Sequence, residues 1–305
     1  MSSFRFLTLA DIHGNIPGIT RLVKFYSSNK TDLDAILIAG DLPSTVPFTL
    51  ISQYIIQQKN FSRIGYSNSV FKGYLRKKFI KHQIKSTDHI LKSLSFLEIP
   101  IYYVPGNVDT IQVIKHIQEN YPDINYLDGE AKKLDTKTSI FGLGGSLDHL
   151  GVICDHEYNE SDFNKKIKLF SDLIANSNAE NKIFLLHEPP RFKRDPRDVQ
   201  KLMLKQKKRG YYYKIPTVAG SKKLLEISKN FNPKLIINGH FHEYSGVINH
   251  KGIRAINPGA FATQRFAEIL LKIQDKNTKI QSSFYKMRGP PLSFVNFLYQ
   301  QRNYG

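Results

Sequence analysis

The chain has 305 residues, 41% of them hydrophobic, enough to bury a large core in one elaborated domain or two. Its 44 Lys and Arg against 26 Asp and Glu give a formal net charge of +18, which favours anionic partners and also suits a lysine-rich solvated surface. The single Cys154 excludes an internal disulfide framework and a cysteine-rich zinc site, and the lack of a long apolar run argues against a transmembrane helix, so a cytoplasmic protein is expected.

Arg5–Ala10 reads as a first strand, too short for a signal peptide and leading directly into Asp11-Ile12-His13-Gly14-Asn15. Ile16–Ser27 follows as a helix: Ile19, Leu22, Val23 and Tyr26 recur at helical spacing, and Pro17 sits early, where proline is tolerated. Ala35–Ala39 is a second strand and ends in Gly40-Asp41. Strand, helix, strand in that order argues for parallel neighbours and a right-handed crossover.

The next stretch is longer than a crossover needs. It carries a helix over Pro47–Gln58 and one or two more over Ser69–Leu97, a helical basic insertion around residues 47–97. Lys72, Arg76, Lys77, Lys78, Lys81, His82 and Lys85 lie there among Phe71, Tyr74 and Phe79. Basic residues interleaved with aromatics suit a nucleic-acid backbone; the simpler reading is the solvated face of an amphipathic cover helix.

Ile101–Val104 is a third strand, followed by Pro105-Gly106-Asn107-Val108-Asp109 and a helix over Thr110–Glu119 with Asp109 or Thr110 as its N-cap. Ser139–Leu143 is a strand meeting Gly144-Gly145, and Asp148–Tyr158 is irregular, with His149 and His156 read as solvated loop histidines or substrate contacts. The helix Phe163–Ala175 leads into a strand ending in His187-Glu188-Pro189-Pro190. Arg191–Arg209 is the densest charge run, either a basic rim that steers an anionic substrate or a solvated loop and helix, and Tyr211-Tyr212-Tyr213 follows as core or as a base-stacking surface.

Ser221–Lys229 is a helix, and Lys234–Asn238 a buried strand that delivers Gly239-His240-Phe241-His242. On extended backbone, histidines at i and i+2 point the same way and both rings can reach one point. Tyr244–Asn249, Gly252–Ile256, Phe266–Ile273 and Lys279–Lys286 read as antiparallel strands, with turns at Asn257-Pro258-Gly259 and Asp275-Lys276-Asn277. A domain over 1–288 and a tail over 289–305, which docks on it or mediates self-association, complete the expected organisation.

Taken singly, Asp, Asn and Gly after a strand are ordinary turn chemistry. Taken together, the strand exits carry Asp11-x-His13, Gly40-Asp41, Gly106-Asn107-x-Asp109, His187 and Gly239-His240-x-His242, at the strand ends where open α/β sheets gather their ligands. In order and rough spacing this series resembles the calcineurin-like metallophosphoesterases over most of the chain. The resemblance implies an α/β fold: a four-layer αββα sandwich of two mixed β-sheets flanked by helices, with a two-metal centre at the strand ends. Residue by residue, it puts Asp11, His13, Asp41 and His242 around one ion, and Asp41, Asn107, His187 and His240 around the other.

Nitrogen and oxygen ligands without thiolate suit two divalent ions drawn from Mn²⁺, Fe and Zn²⁺, with Co²⁺ or Ni²⁺ as alternatives; an all-oxygen Mg²⁺ or Ca²⁺ site fits poorly. The implied activity is hydrolysis of a phosphate-ester substrate, most of all a diester, by a hydroxide held between the ions. Asp41, Asn107 and Asp109 are its expected catalytic residues; Asn15, Arg191 and Arg194 are expected to touch substrate. One departure stands out. Many members carry a histidine where this chain has Val108. Valine donates no proton, so general-acid help worth about 10²–10⁴-fold is missing or comes from elsewhere, which favours substrates with good leaving groups. A nuclease acting on DNA or RNA, and a non-catalytic scaffold for protein partners on the same fold, are the alternatives.

Overall fold

The computed structural model describes residues 2–29, 32–44, 69–148, 154–193, 200, 203–204, 217–250, 252–274 and 277–287. The first half runs β1 (Ser2–Leu9), α1 (Ile16–Asn29), β2 (Ala35–Ala39), α2 (Ser69–Ser95), β3 (Ile101–Val104), α3 (Ile111–Asn120) and β4 (Ile124–Tyr126). The second adds β5 (Ala131–Lys133), β6 (Thr138–Leu143), β7 (Ser146–Leu147), β8 (Glu157–Tyr158), α4 (Glu160–Ala175), β9 (Asn181–Leu186), β10 (Phe192–Lys193) and β11 (Val218–Ala219). It continues with α5 (Lys222–Phe231), β12 (Leu235–Ile237), β13 (Gly246–His250) and β14 (Ile253–Asn257) before β15 (Arg265–Gln274) and β16 (Asn277–Lys286) return to the first sheet.

The sheets run β16-β15-β1-β2-β3-β4 and β13-β14-β12-β9-β6-β5. Both are mixed. In the first, β1 to β4 are parallel while β15 and β16 pair antiparallel at one edge; in the second, β6, β9, β12 and β14 are parallel, with antiparallel β5 and β13 at the edges.

The apolar runs explain the layering. β2 is buried along its whole length, as a strand covered on both faces must be. Ala35, Leu37 and Ala39 face the other sheet, where they meet Ile183, Leu185, Leu235 and Ile237; Ile36 and Ile38 turn to Ile19 and Leu22 of α1 and Ile90 and Leu94 of α2. On the opposite outer face Phe141, Phe184 and Ile236 pack on Phe163, Ile167 and Phe170 of α4 and Leu224 and Ile227 of α5. Helices, sheet, sheet, helices: this is the four-layer αββα arrangement. Each fully buried Leu, Ile or Phe contributes about 1.5–3 kcal/mol relative to exposure, so this layering is the main source of rigidity beneath the strand ends.

Most expected elements lie within a few residues of their predicted bounds. Thr110 is the N-cap of α3, its side chain accepting from Val113 N, and Ser221 does the same for α5 with Leu224 N. The stretch over Ser69–Leu97 is one continuous helix. β4 and β5 went unforeseen. The expected helix Pro47–Gln58, Tyr211–Tyr213 and the tail 289–305 lie outside the described residues, as does most of Arg191–Arg209.

Candidate metal centre

The parallel strands β1, β2, β3, β9 and β12 end at one rim, and the loops leaving them fold back sharply. Asp11, His13, Asp41 and His240 all adopt positive φ, at 51°, 47°, 55° and 65°. For residues with a Cβ this is uncommon and costs about 1–3 kcal/mol each, so the surroundings must hold them there. Asp11 N donates to Gly40 O at 3.0 Å and His13 N to Asp41 O at 2.8 Å, lacing the first loop to the second. The Asp109 carboxylate accepts from Asp41 N at 2.9 Å, from Leu42 N at 3.1 Å and from Gly106 N, which fixes the Asp41 backbone. Gly106 has no alternative here, because a Cβ at that position would overlap the Asp41 carboxylate.

Two sets of ligand atoms converge in this frame. His13 Nε2 and His242 Nε2 are 3.3 Å apart, and His242 Nε2 is 3.3 Å from Asp11 Oδ1. Ligands bound tetrahedrally at 2.0–2.1 Å sit about 3.3 Å from one another, so the spacing matches a coordination shell. Asp11 Oδ2 is buried with no hydrogen-bond partner, a costly state for a carboxylate oxygen unless a cation lies against it.

The second set surrounds Asp41 and His187. Asp41 Oδ1 accepts from Val108 N at 3.0 Å, while Oδ2 lies 3.6 Å from His13 Nε2 and 3.7 Å from His187 Nε2, between the two histidines. His187 Nδ1 bonds Ala39 O at 2.8 Å, so that nitrogen carries the proton and Nε2 presents a lone pair. Asn107 Nδ2 donates to Glu157 Oε1 at 2.9 Å, which orients the carbonyl Oδ1 toward His187 Nε2, 3.1 Å away. Among the described residues, the His/Asp/Glu groups whose ligand atoms all lie within 4.8 Å of one another are Asp11, His13, His242 and Asp11, Asp41, His187. His240 is in neither. Its backbone N donates to Asp11 Oδ1 at 3.0 Å, its ring packs edge-on against His187, and its Nε2 lies 3.6 Å from Glu188 Oε2.

Buried carboxylates crowd this corner of a basic chain. Burial, with Asp109 and Asp11 close by, pushes the Asp41 carboxyl well above its usual range. Burial raises Asp109 to about 6 against the pull of the Gly106 and Asp41 amides, and raises Glu188 well above the carboxylate range. Burial also acts upward on Asp11, but His242, His187 and His13 outweigh it and its carboxyl ends below normal. Burial lowers His187, keeping the imidazole neutral as a ligand must be. Bound cations would neutralise this crowd of carboxylates, so the residues fit divalent metal.

The remaining expected residues sit elsewhere. Asp109 is fully buried behind Asp41, its carboxylate on backbone amides. Asn15 is buried too, its amide donating to Phe261 O at 2.9 Å and accepting from Gly18 N at 3.0 Å, so its side chain ties α1 to a distant turn. Arg191 is half-buried and its backbone N donates to Ser221 O; Arg194 and His149 lie outside the described residues. His156 is not a solvated loop histidine: it is buried, its Nδ1 is 3.0 Å from the Tyr158 hydroxyl, and burial lowers its pKa to about 4.

Sequence reasoning passed over Glu157, Glu188 and Gln83, whose Nε2 donates to Val108 O at 2.9 Å. Only Glu188, adjacent to His187, left any signal. Along α2, Arg76, Lys77, Lys78, Lys81 and Lys85 are exposed. No described helix is long and apolar enough to cross a membrane.

Comparison with known proteins agrees with this fold. A solved structure 17% identical to this chain, covering 92% of it and 99% of its own length, superposes with a TM-score of 0.65. A protein of Thermus thermophilus, TT1561, 16% identical over 92% of this chain and 99% of its own, gives 0.56. At such identities the likeness speaks for the fold alone. No curated protein sequence gave a match. The family model for calcineurin-like phosphoesterase matches residues 4–244, which spans every converging ligand described above, and the chain therefore belongs to the calcineurin-like phosphoesterases.

Proposed function

We propose that the chain is a phosphodiesterase that works with two divalent ions, one held by Asp11, His13, Asp41 and His242, the other by Asp41, Asn107, His187 and His240. The observation that carries this reading is the facing pair Asn107 Oδ1 and His187 Nε2. With the His187 proton on Nδ1 and the Asn107 amide nitrogen on Glu157, both facing atoms present lone pairs, an arrangement that a bound cation would reconcile. Bound there, the ions supply charge that polarises a phosphate and lowers the pKa of water to near neutrality.

The chain's own residues do the rest. Asp109 pins the Asp41 backbone through the amides of the two adjoining loops, so the carboxylate keeps its place between the histidines as charge develops. Val108 turns its backbone N–H to Asp41 and offers no proton from its side chain, so the leaving oxygen departs without help and a good leaving group is required. The exposed lysines of α2 and the net charge of +18 draw anions toward the molecule. The same lysines favour a second reading, a nuclease; it requires binding of DNA or RNA that weakens steeply with salt.

The test is hydrolysis of bis-p-nitrophenyl phosphate with Mn²⁺. The native chain should turn over and Asp41→Asn should not. A chain that holds metal yet hydrolyses nothing would instead be a scaffold.

A further inference from the structure

Glu188 is the buried acid that the proposed ligand sets leave without a task. Its side chain is 1% exposed, it follows His187 directly, and its Oε2 lies 3.6 Å from His240 Nε2. His240 is the expected histidine ligand that stands outside both groups of converging atoms.

A histidine that binds metal through one ring nitrogen commonly gives the other to a carbonyl or carboxylate, and that partner decides which nitrogen faces the ion. His187 follows the rule: Ala39 O holds Nδ1 and leaves Nε2 for the centre. The His240 backbone is fixed at φ 65° with its N–H on Asp11 Oδ1, and its ring lies between His187 and Phe241, at centroid distances of 5.0 and 4.7 Å. Little freedom remains beyond exchanging the two ring nitrogens.

We propose that Glu188 is the positioning residue for His240: its carboxylate takes the Nε2–H, so that Nδ1 is the nitrogen presented to the second ion. This rests on the two-ion reading above. The 3.6 Å separation is longer than a hydrogen bond and must close by some tenths of an ångström for the contact to form. Removing such an outer partner of a metal-bound histidine ordinarily weakens the metal by about 10–100-fold.

The experiment uses the full chain, ¹⁵N-labelled at histidine, with signals assigned by a His240→Asn variant. Long-range ¹H–¹⁵N spectra of the zinc-loaded protein report the ring tautomer, and calorimetric titration with Zn²⁺ reports each ion. The native chain should show His240 protonated at Nε2. Glu188→Ala should lose that preference and bind the second ion about 10–100-fold more weakly, with the first ion and the melting temperature little changed. Glu188→Gln keeps an acceptor and should fall between the two; it carries the test if the alanine variant does not fold. His240 protonated at Nδ1 in the native chain, or a second-ion affinity untouched in a folded variant, overturns the proposal. If the native chain binds one ion only, the two-ion reading fails, while the tautomer still decides the role of Glu188.

Discussion

Asn107 Oδ1 and His187 Nε2 face each other at 3.1 Å as two acceptors, because Glu157 holds the Asn107 amide nitrogen and Ala39 O holds the other ring nitrogen of His187. In that tautomer a bound cation relieves the approach of the two lone pairs. Mn²⁺ or Zn²⁺ should therefore raise the melting temperature, by the equivalent of about 2.7 kcal/mol at a hundredfold excess over Kd. Thermal melts with and without chelator check this, and an identical melting temperature in both would contradict it.

Gly106 bears on the same carboxylate from the other side. A methyl group there overlaps Asp41, so Gly106→Ala should push the carboxylate off its position between His13 and His187. A displacement of that kind should lower kcat/KM by about 10²-fold while the far-ultraviolet circular dichroism of the four layers stays native. Steady-state kinetics on a chromogenic diester would show it.

Val108 predicts a leaving-group dependence. Its backbone is fixed at both ends, N–H to Asp41 and carbonyl to Gln83, so a histidine at that position inherits a fixed anchor. Val108→His should accelerate hydrolysis of alkyl diesters by up to about 10²-fold and leave p-nitrophenyl esters nearly unchanged. Equal effects on both would mean that the variant had altered binding and not proton donation.

His156, which is not among the proposed ligands, sets a pH dependence of stability. Burial, aided by Lys166, depresses its pKa from 6.5 to about 4. Between those values the unfolded chain binds more protons than the folded one, so the stability from this site is present above pH 6.5 and is lost as pH falls toward 4. The loss amounts to about 3 kcal/mol at most, at about 1.36 kcal/mol for each pKa unit. Urea denaturation at about pH 7 and about pH 4.5 should show the drop, and His156→Phe should flatten it.

The strands that carry the centre were legible because β2, β3 and β12 are apolar runs and β9 ends in one, Ile183–Leu186, and the polar residues at their exits stand out against them. β4 and β5 were not: Asn125 at a half-buried position and Lys132 and Lys133 at exposed ones break the apolar pattern on the sheet edges. Asn15 was expected at the substrate because it shares a turn with Asp11 and His13, whereas its partner Phe261 lies 246 residues away and no local pattern announces it. Glu157 was hidden for the same reason, being 50 residues from Asn107 and in a stretch without periodicity. Contacts between distant segments become visible only when the fold brings them together.

The most direct measurement of the central claim is turnover of bis-p-nitrophenyl phosphate followed while metal-free protein is titrated with Mn²⁺, with bound metal counted at each step. Turnover that rises only as the second equivalent binds is the predicted result. Full activity with one equivalent, or none with two in place, would contradict the two-ion phosphodiesterase.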